Sequence, residues 1–329
     1  MSAPKVGIFF PSFVWPDSNS MEPIEQVDAC LERCEQHGFD VWVVDHLLVA
    51  PGLYGATWLD PLVFLTYAAA RTRTVGLGTA ILVAPLRQPV LLAKEIASLQ
   101  ELSGNRFHLG VGTGWDAKEF ASVGAHVSER GKRTDELLDS LEALMGKEKG
   151  SYSGRYYSFE DVSIVPRVPM PPVWVAGGSR IPDPNEHDVP KIADSVKRRV
   201  VRAGHWLSRA SGKQEWVKRD WGELVEFAEK NGVDPASMTF GHCNWFHFVD
   251  THDEDAAIKE QTPAFQRVMG THRPVDHLRE CYLMGTNDMV IERLRDLVEA
   301  GCNYLCVGPT SADPDQIDFF ANNVLPELA

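Results

Sequence analysis

The chain has 329 residues, 44% of them hydrophobic, six cysteines and a formal net charge of −14. That length and apolar content suit one large α/β barrel or two smaller domains. The acidic balance argues against a nucleic-acid binder, which needs a basic face. The opening MSAPKVGIFF lacks the long apolar stretch of a secretion signal or membrane span, so a cytoplasmic protein without membrane contact is expected.

In chain order, Lys5–Phe10 reads as a strand, and Ile24, Val27, Leu31 and Cys34 mark a helix face ending near Gly38. Val41–Val44 is a second strand. Asp60–Ala70 is a second helix, with Asp60 as N-cap before Pro61. Val75–Ala84, a helix with Leu92, Ile96 and Leu99 on one face, and Phe107–Val111 form a strand–helix–strand unit. Both of its strands read as buried on two faces. Leu137, Leu141 and Leu144 define a helix stopping near Gly146. Tyr152–Val168 breaks the rhythm around Ser153-Gly154 and reads as a hairpin-like insertion.

Val173–Ala176 resumes the strands. A loop over Ile181–Asp188, a helix near Lys191–Arg199 and a strand near His205–Leu207 follow. Trp221–Lys230 is a helix and Met238–Val249 a long strand. Thr251–Cys281 is charged and partly helical, either a solvated helix pair or a mobile lid. Val290, Leu294, Leu297 and Val298 mark a late helix, Asn303–Val307 the last strand, and Gln316–Leu325 a final helix. Eight strands alternating with helices predict one (β/α)8 barrel over residues 1–329, with insertions near 147–170 and 251–281. A doubly wound sheet is the runner-up. No G-x-G-x-x-G follows the first strand, which ends in Pro11-Ser12-Phe13.

Barrel strands end at the active-site face. The second strand leads into Asp45-His46. His46 can donate or accept a proton, while Asp45 can fix its tautomer or hydrogen-bond a ligand ring. Gly78, Thr79 and Ala80 end the third strand, and Thr113, Gly114 and Trp115 the fourth. Such small residues let a flat ligand lie against the backbone; Trp115 either lines a pocket or covers the rim. The fifth strand ends in Gly177, Gly178 and Ser179, which offer N–H groups and a hydroxyl to a phosphate, with the Arg180 guanidinium beside them. Farther on, His242 and Asn244 share one face of a strand and Cys243 and Trp245 the other, with the inward face left open. The cysteines lack paired metal spacing and read as reduced core thiols, and no metal site is expected.

These residues resemble the bacterial-luciferase-like superfamily of flavin and deazaflavin oxidoreductases. The resemblance rests on VWVVDH (Val41–His46), the block Gly78–Trp115, the segment Glu119–Gly131, PPVWVAGGS (Pro171–Ser179) and the C-terminal GTNDMVIERLRDLVEAGCNYLCVGP. It implies a barrel whose mouth binds the ring of reduced FMN or of the deazaflavin coenzyme F-420. His46 would lie near the reactive ring edge with Asp45 beside it, Thr79-Ala80 would form a bulged, often cis, peptide behind the ring, and Gly177–Ser179 would hold the phosphate. Two positions depart from the family pattern. Thr113 stands where luciferases carry a phosphate-reaching Arg, and Trp115 where deazaflavin sugar-phosphate dehydrogenases carry a catalytic Glu. The first expectation is a monooxygenase that receives reduced FMN from a separate reductase and acts with oxygen on a small, largely apolar substrate. The second is F-420-dependent hydride transfer, for which Arg180, Arg198, Arg199 and Arg202 would supply a basic groove. The third is a flavin-binding protein without turnover. A homodimer is the generic expectation.

Overall fold

The computed structural model describes residues 3–50, 54–179 and 191–329. Its barrel strands are β1 (Lys5–Phe9), β2 (Asp40–Val43), β3 (Leu77–Thr79), β4 (Phe107–Gly112), β5 (Val173–Ala176), β6 (His205–Ser208), β7 (Thr239–Phe246) and β8 (Tyr304–Pro309). All pairings among them are parallel. β8 returns to β1 through Tyr304 and Lys5, and β4 meets β5 through Leu109 and Val173. The sheet is therefore a closed cylinder, which rules out the open doubly wound alternative.

The helices are α1 (Ile24–His37), α2 (Pro61–Arg71), α3 (Pro89–Ser103), α4 (Ala117–Ser122), α5 (Arg130–Leu144), α6 (Asp194–Ala203), α7 (Gln214–Lys230), α8 (Glu254–Met269), α9 (Val275–Cys281), α10 (Asn287–Glu299) and α11 (Pro314–Phe319). Asp60 caps α2 as its sequence predicts, its Oδ1 accepting from the N–H groups of Leu62 and Val63 at 3.0 and 3.1 Å. Among the described residues no helix is long and apolar enough to cross a membrane. All six cysteines are buried and free.

Side chains alternate across each strand. Val6, Ile8, Val41, Val43, Phe107 and Leu109 point outward into the helix layer. Phe9, Trp42, Trp174, Trp245 and Tyr304 fill the lumen. Both strand faces are thus apolar, which explains the unbroken hydrophobic runs. This alternation settles the face of β7: Cys243 and Trp245 look inward and His242 outward. His242 Nδ1 donates to Ser208 Oγ at 2.7 Å, and Nε2 accepts from Asn244 Nδ2 at 3.1 Å. Burial, reinforced by the charge of Arg293, pushes its pKa down to about 3. His242 is a satisfied core histidine and stands apart from the mouth.

The lumen is tightly filled. Trp42 Nε1 donates to the Tyr304 hydroxyl at 2.7 Å, which donates to Asp40 Oδ2 at 2.7 Å. A Cβ on Gly78 would lie 2.4 Å from the Trp42 ring. Gly78 therefore makes room for an indole rather than for a ligand, correcting the sequence expectation.

Both insertions are present. Gly150–Ser153 pairs antiparallel with Ser158–Val162, and α8 with α9 occupies most of the second. Sequence reading missed a small antiparallel sheet of Phe13–Trp15, Ser20–Met21 and Thr57–Trp58. It brings Phe13, Trp15 and Trp58 against the upper lumen, where Phe13 and Phe9 pack on Trp245 at 5.6 and 4.3 Å between ring centroids. Two of the arginines expected to line a basic groove, Arg199 and Arg202 of α6, are instead paired with carboxylates. Arg199 is buried against Asp135 of α5 at 2.6 Å, and Arg202 pairs with Asp139 and Glu142 at 2.7 Å each. These are ion pairs between helices. Arg180 and the loop expected over Ile181–Asp188 lie outside the described residues.

Candidate active site

His46 lies just past β2, its side chain 9% exposed. Its Nδ1 is 3.2 Å from Glu119 Oε1, on α4. The same oxygen accepts from the N–H groups of Leu47 and Leu48 at 2.8 and 3.2 Å. Burial pushes the Glu119 carboxyl up, but the bonds from His46 and these N–H groups outweigh it and hold it below the usual value. An ionised carboxylate only accepts, so Nδ1 carries the hydrogen, and in the neutral ring that leaves the lone pair on Nε2. Three aromatic rings surround the imidazole: Tyr54, Trp58 and Trp115, at 5.3, 5.4 and 5.9 Å between centroids. Trp115 is 45% exposed and so stands at the rim of this pocket.

Asp45 does not serve His46. Its Oδ1 accepts from Arg87 Nη2 and its Oδ2 from the Val83 N–H, both at 2.9 Å. Arg87 reaches on to Asp60 at 3.0 Å. Burial pushes the Asp45 carboxyl up against the opposing charge of Arg87. Asp45 fixes the chain leaving β3, and the tautomer role expected of it falls to Glu119. Sequence reading passed over Glu119 as a partner. Its signal was present: Asp116 caps α4, accepting from the Lys118 N–H at 2.8 Å, and Glu119 sits three residues on. An Asp-x-x-Glu pattern ordinarily means a capping box, and here the glutamate turns to the histidine instead.

Past the end of β3 a cis peptide joins Ala80 to Ile81, one residue beyond the expected Thr79-Ala80 bond. Thr79 is fully buried and donates to the Gly110 carbonyl at 2.7 Å, so its hydroxyl faces the barrel wall. Ala80 joins the lumen cluster. Thr113 and Gly114 are half-buried at the end of β4. Gly114 has φ 68°, and a Cβ there would lie 2.5 Å from Val83.

The Gly177–Ser179 loop is held by groups that sequence reading missed. Ser179 donates from its N–H to Asp220 Oδ2 at 2.5 Å and from its hydroxyl to Oδ1 at 2.8 Å. Asp220, on α7, is 1% exposed. Arg219 Nη2 donates to Ser179 Oγ at 2.7 Å and to Asp220 Oδ1 at 3.3 Å. The Gly177 N–H bonds the Leu207 carbonyl at 3.2 Å. The loop expected to meet a phosphate thus carries a buried carboxylate with a guanidinium beside it.

Two polar atoms bear on what the pocket can hold. The Trp58 Nε1 and Ser12 Oγ are buried with no hydrogen-bond partner among the described residues. Trp58 packs on His46, so an acceptor entering beside the imidazole would satisfy a donor that otherwise carries an uncompensated desolvation cost. An aromatic-walled pocket with an unsatisfied indole N–H suits a planar heterocycle bearing carbonyl oxygens.

A model of the family described as luciferase-like monooxygenase matches residues 4–182. An F-420-dependent glucose-6-phosphate dehydrogenase of Kineococcus radiotolerans is 34% identical over 262 residues, covering 75% of this chain and 72% of that one. An uncharacterised protein of Sinorhizobium fredii is 34% identical over 149 residues, but the chain spans only 41% of its length. The crystal structure of the monooxygenase RslO1 from Streptomyces bottropensis superposes with TM-score 0.79 at 23% identity, covering 99% of this chain and 100% of that one. That likeness is one of fold.

Proposed function

From the premise that this chain belongs to the luciferase-like monooxygenase family, we propose that it is an F-420-dependent oxidoreductase acting on a small, largely apolar alcohol. The observation that carries the reading is His46, its Nδ1 fixed by buried Glu119 and its ring set among Tyr54, Trp58 and Trp115. The deazaflavin, when bound, supplies a hydride acceptor. His46 Nε2 takes the hydroxyl proton as the carbon loses its hydride, leaving a carbonyl product. Glu119 keeps the imidazole in the required tautomer and supports the charge that develops on it. Tyr54, Trp58 and Trp115 wall the reacting atoms from water.

One observation favours the deazaflavin over FMN: a relative matched over 75% of this chain and 72% of its own length is F-420-dependent. A sugar-phosphate substrate is disfavoured by the aromatic pocket and by Trp115 at its rim. The second reading keeps the same site with reduced FMN, delivered by a separate reductase, and oxygen. The family description and the water-excluding wall support it.

Anaerobic incubation with oxidised F-420 and a panel of secondary alcohols tests the first reading through loss of the deazaflavin absorbance. Relative to wild type, His46→Ala is expected to lose about 10² to 10⁴ in turnover with F-420 affinity little changed. Glu119→Gln is expected to lose turnover while keeping its affinity. Full turnover in His46→Ala would remove the imidazole from the chemistry.

A further inference from the structure

The second insertion places two guanidinium groups on the mouth without acidic partners. Arg267, near the end of α8, has its Cζ 3.9 Å from the centre of the Trp15 ring. Arg273, in the link to α9, has its Cζ 5.7 Å from the centre of the Tyr54 ring and donates to the Tyr282 hydroxyl at 2.9 Å. Neither forms an ion pair among the described residues. Arg279, on the same insertion, pairs with Glu254, so acidic partners are within reach of this segment. The insertion is docked here rather than loose: the Gly55 N–H bonds the Val268 carbonyl at 2.9 Å, and the Gln266 amide bonds the Arg273 carbonyl at 3.2 Å.

Position gives these groups meaning. Tyr54 touches both Arg273 and His46, so one phenol ring separates the half-buried guanidinium from the imidazole. Burial raises the Tyr54 phenol, the charges of Arg273 and Arg209 oppose that, and the charge of Glu119 adds to it. Unpaired guanidinium in such a setting pairs readily with an anion, and its fork matches a carboxylate bidentately. We infer that the substrate carries a carboxylate, bound by Arg273 with Arg267 at the outer edge, while its apolar body lies between Trp15, Tyr54 and Trp58 and its reacting carbon faces His46. This deepens the alcohol reading above and rests on it for the reacting end. The anion site itself is independent of which cofactor binds.

The test is calorimetric titration of the full-length protein with 4-(hydroxymethyl)benzoate and with its methyl ester. The acid is expected to bind at least tenfold more tightly than the ester, with the preference shrinking as salt rises. Arg273→Met is expected to bring the acid to the level of the ester without altering ester binding. Should that variant fail to fold, Arg267→Met is expected to cut the acid preference by about threefold to tenfold. Equal affinity for acid and ester, an acid preference undiminished in the folded variants, or no binding of either at millimolar concentration would overturn the inference. A parallel F-420 titration separates the two readings. F-420 binding without acid preference removes only the carboxylate site; acid preference without F-420 binding removes only the cofactor assignment.

Discussion

Gly78 carries only hydrogen where a side chain would run into the Trp42 indole. Gly78→Ala is therefore expected to force the indole or its strand aside and to destabilise the barrel by about 1–3 kcal/mol. Urea unfolding reads this as a lower midpoint at unchanged slope. A midpoint equal to wild type would show that the lumen has slack. At this scale sequence pattern and structure part company over Asp45 and His46. Their adjacency suggested a working pair, but successive side chains leaving a strand diverge. One turned to Arg87 and Val83, the other to Glu119 some seventy positions away. His46 was legible because it follows a strand in an alternating chain. Glu119 was hidden because its spacing from Asp116 also satisfies a helix cap, and Asp220 because a lone carboxylate inside an amphipathic helix usually faces water.

At the scale of elements, β7 shows what alternation can and cannot settle. It separated His242 and Asn244 from Cys243 and Trp245, but period two alone does not say which set faces the lumen. The answer has a pH consequence. His242 has an ordinary value of 6.5 and a folded value of about 3. Above pH 6.5 both states are neutral and its contribution is fully present. As pH falls toward 3 the unfolded chain takes up a proton that the folded chain resists, so stability declines, by at most about 1.4 kcal/mol per pH unit from this group. Burial pushes His108, His205 and His247 in the same direction, so they add to the decline. Urea midpoints are expected to fall between pH 7 and pH 5, and less steeply in His242→Gln. An identical slope in the variant would contradict this account of the buried imidazole. The long helices and strands were readable because each repeats its period several times. The sheet of Phe13–Trp15, Ser20–Met21 and Thr57–Trp58 was not, since two or three residues are too few to show any period.

For the whole molecule, eight alternating units implied closure, and the pairing of β4 with β5 supplies it. Closure gathers His46, the Ala80–Ile81 cis bond, Trp115 and the Ser179 loop at the strand ends, although they are scattered through the sequence. What the Gly177–Ser179 loop meets could not be read beforehand, because the carboxylate bonded to it arrives from α7. The central claim is that this mouth takes a planar deazaflavin ring beside His46. The most direct test is equilibrium titration of F-420 fluorescence with the protein, with FMN as competitor. Saturable one-to-one quenching that FMN reverses only at about tenfold or greater excess is expected. An absence of saturation, or displacement by equimolar FMN, would contradict the account.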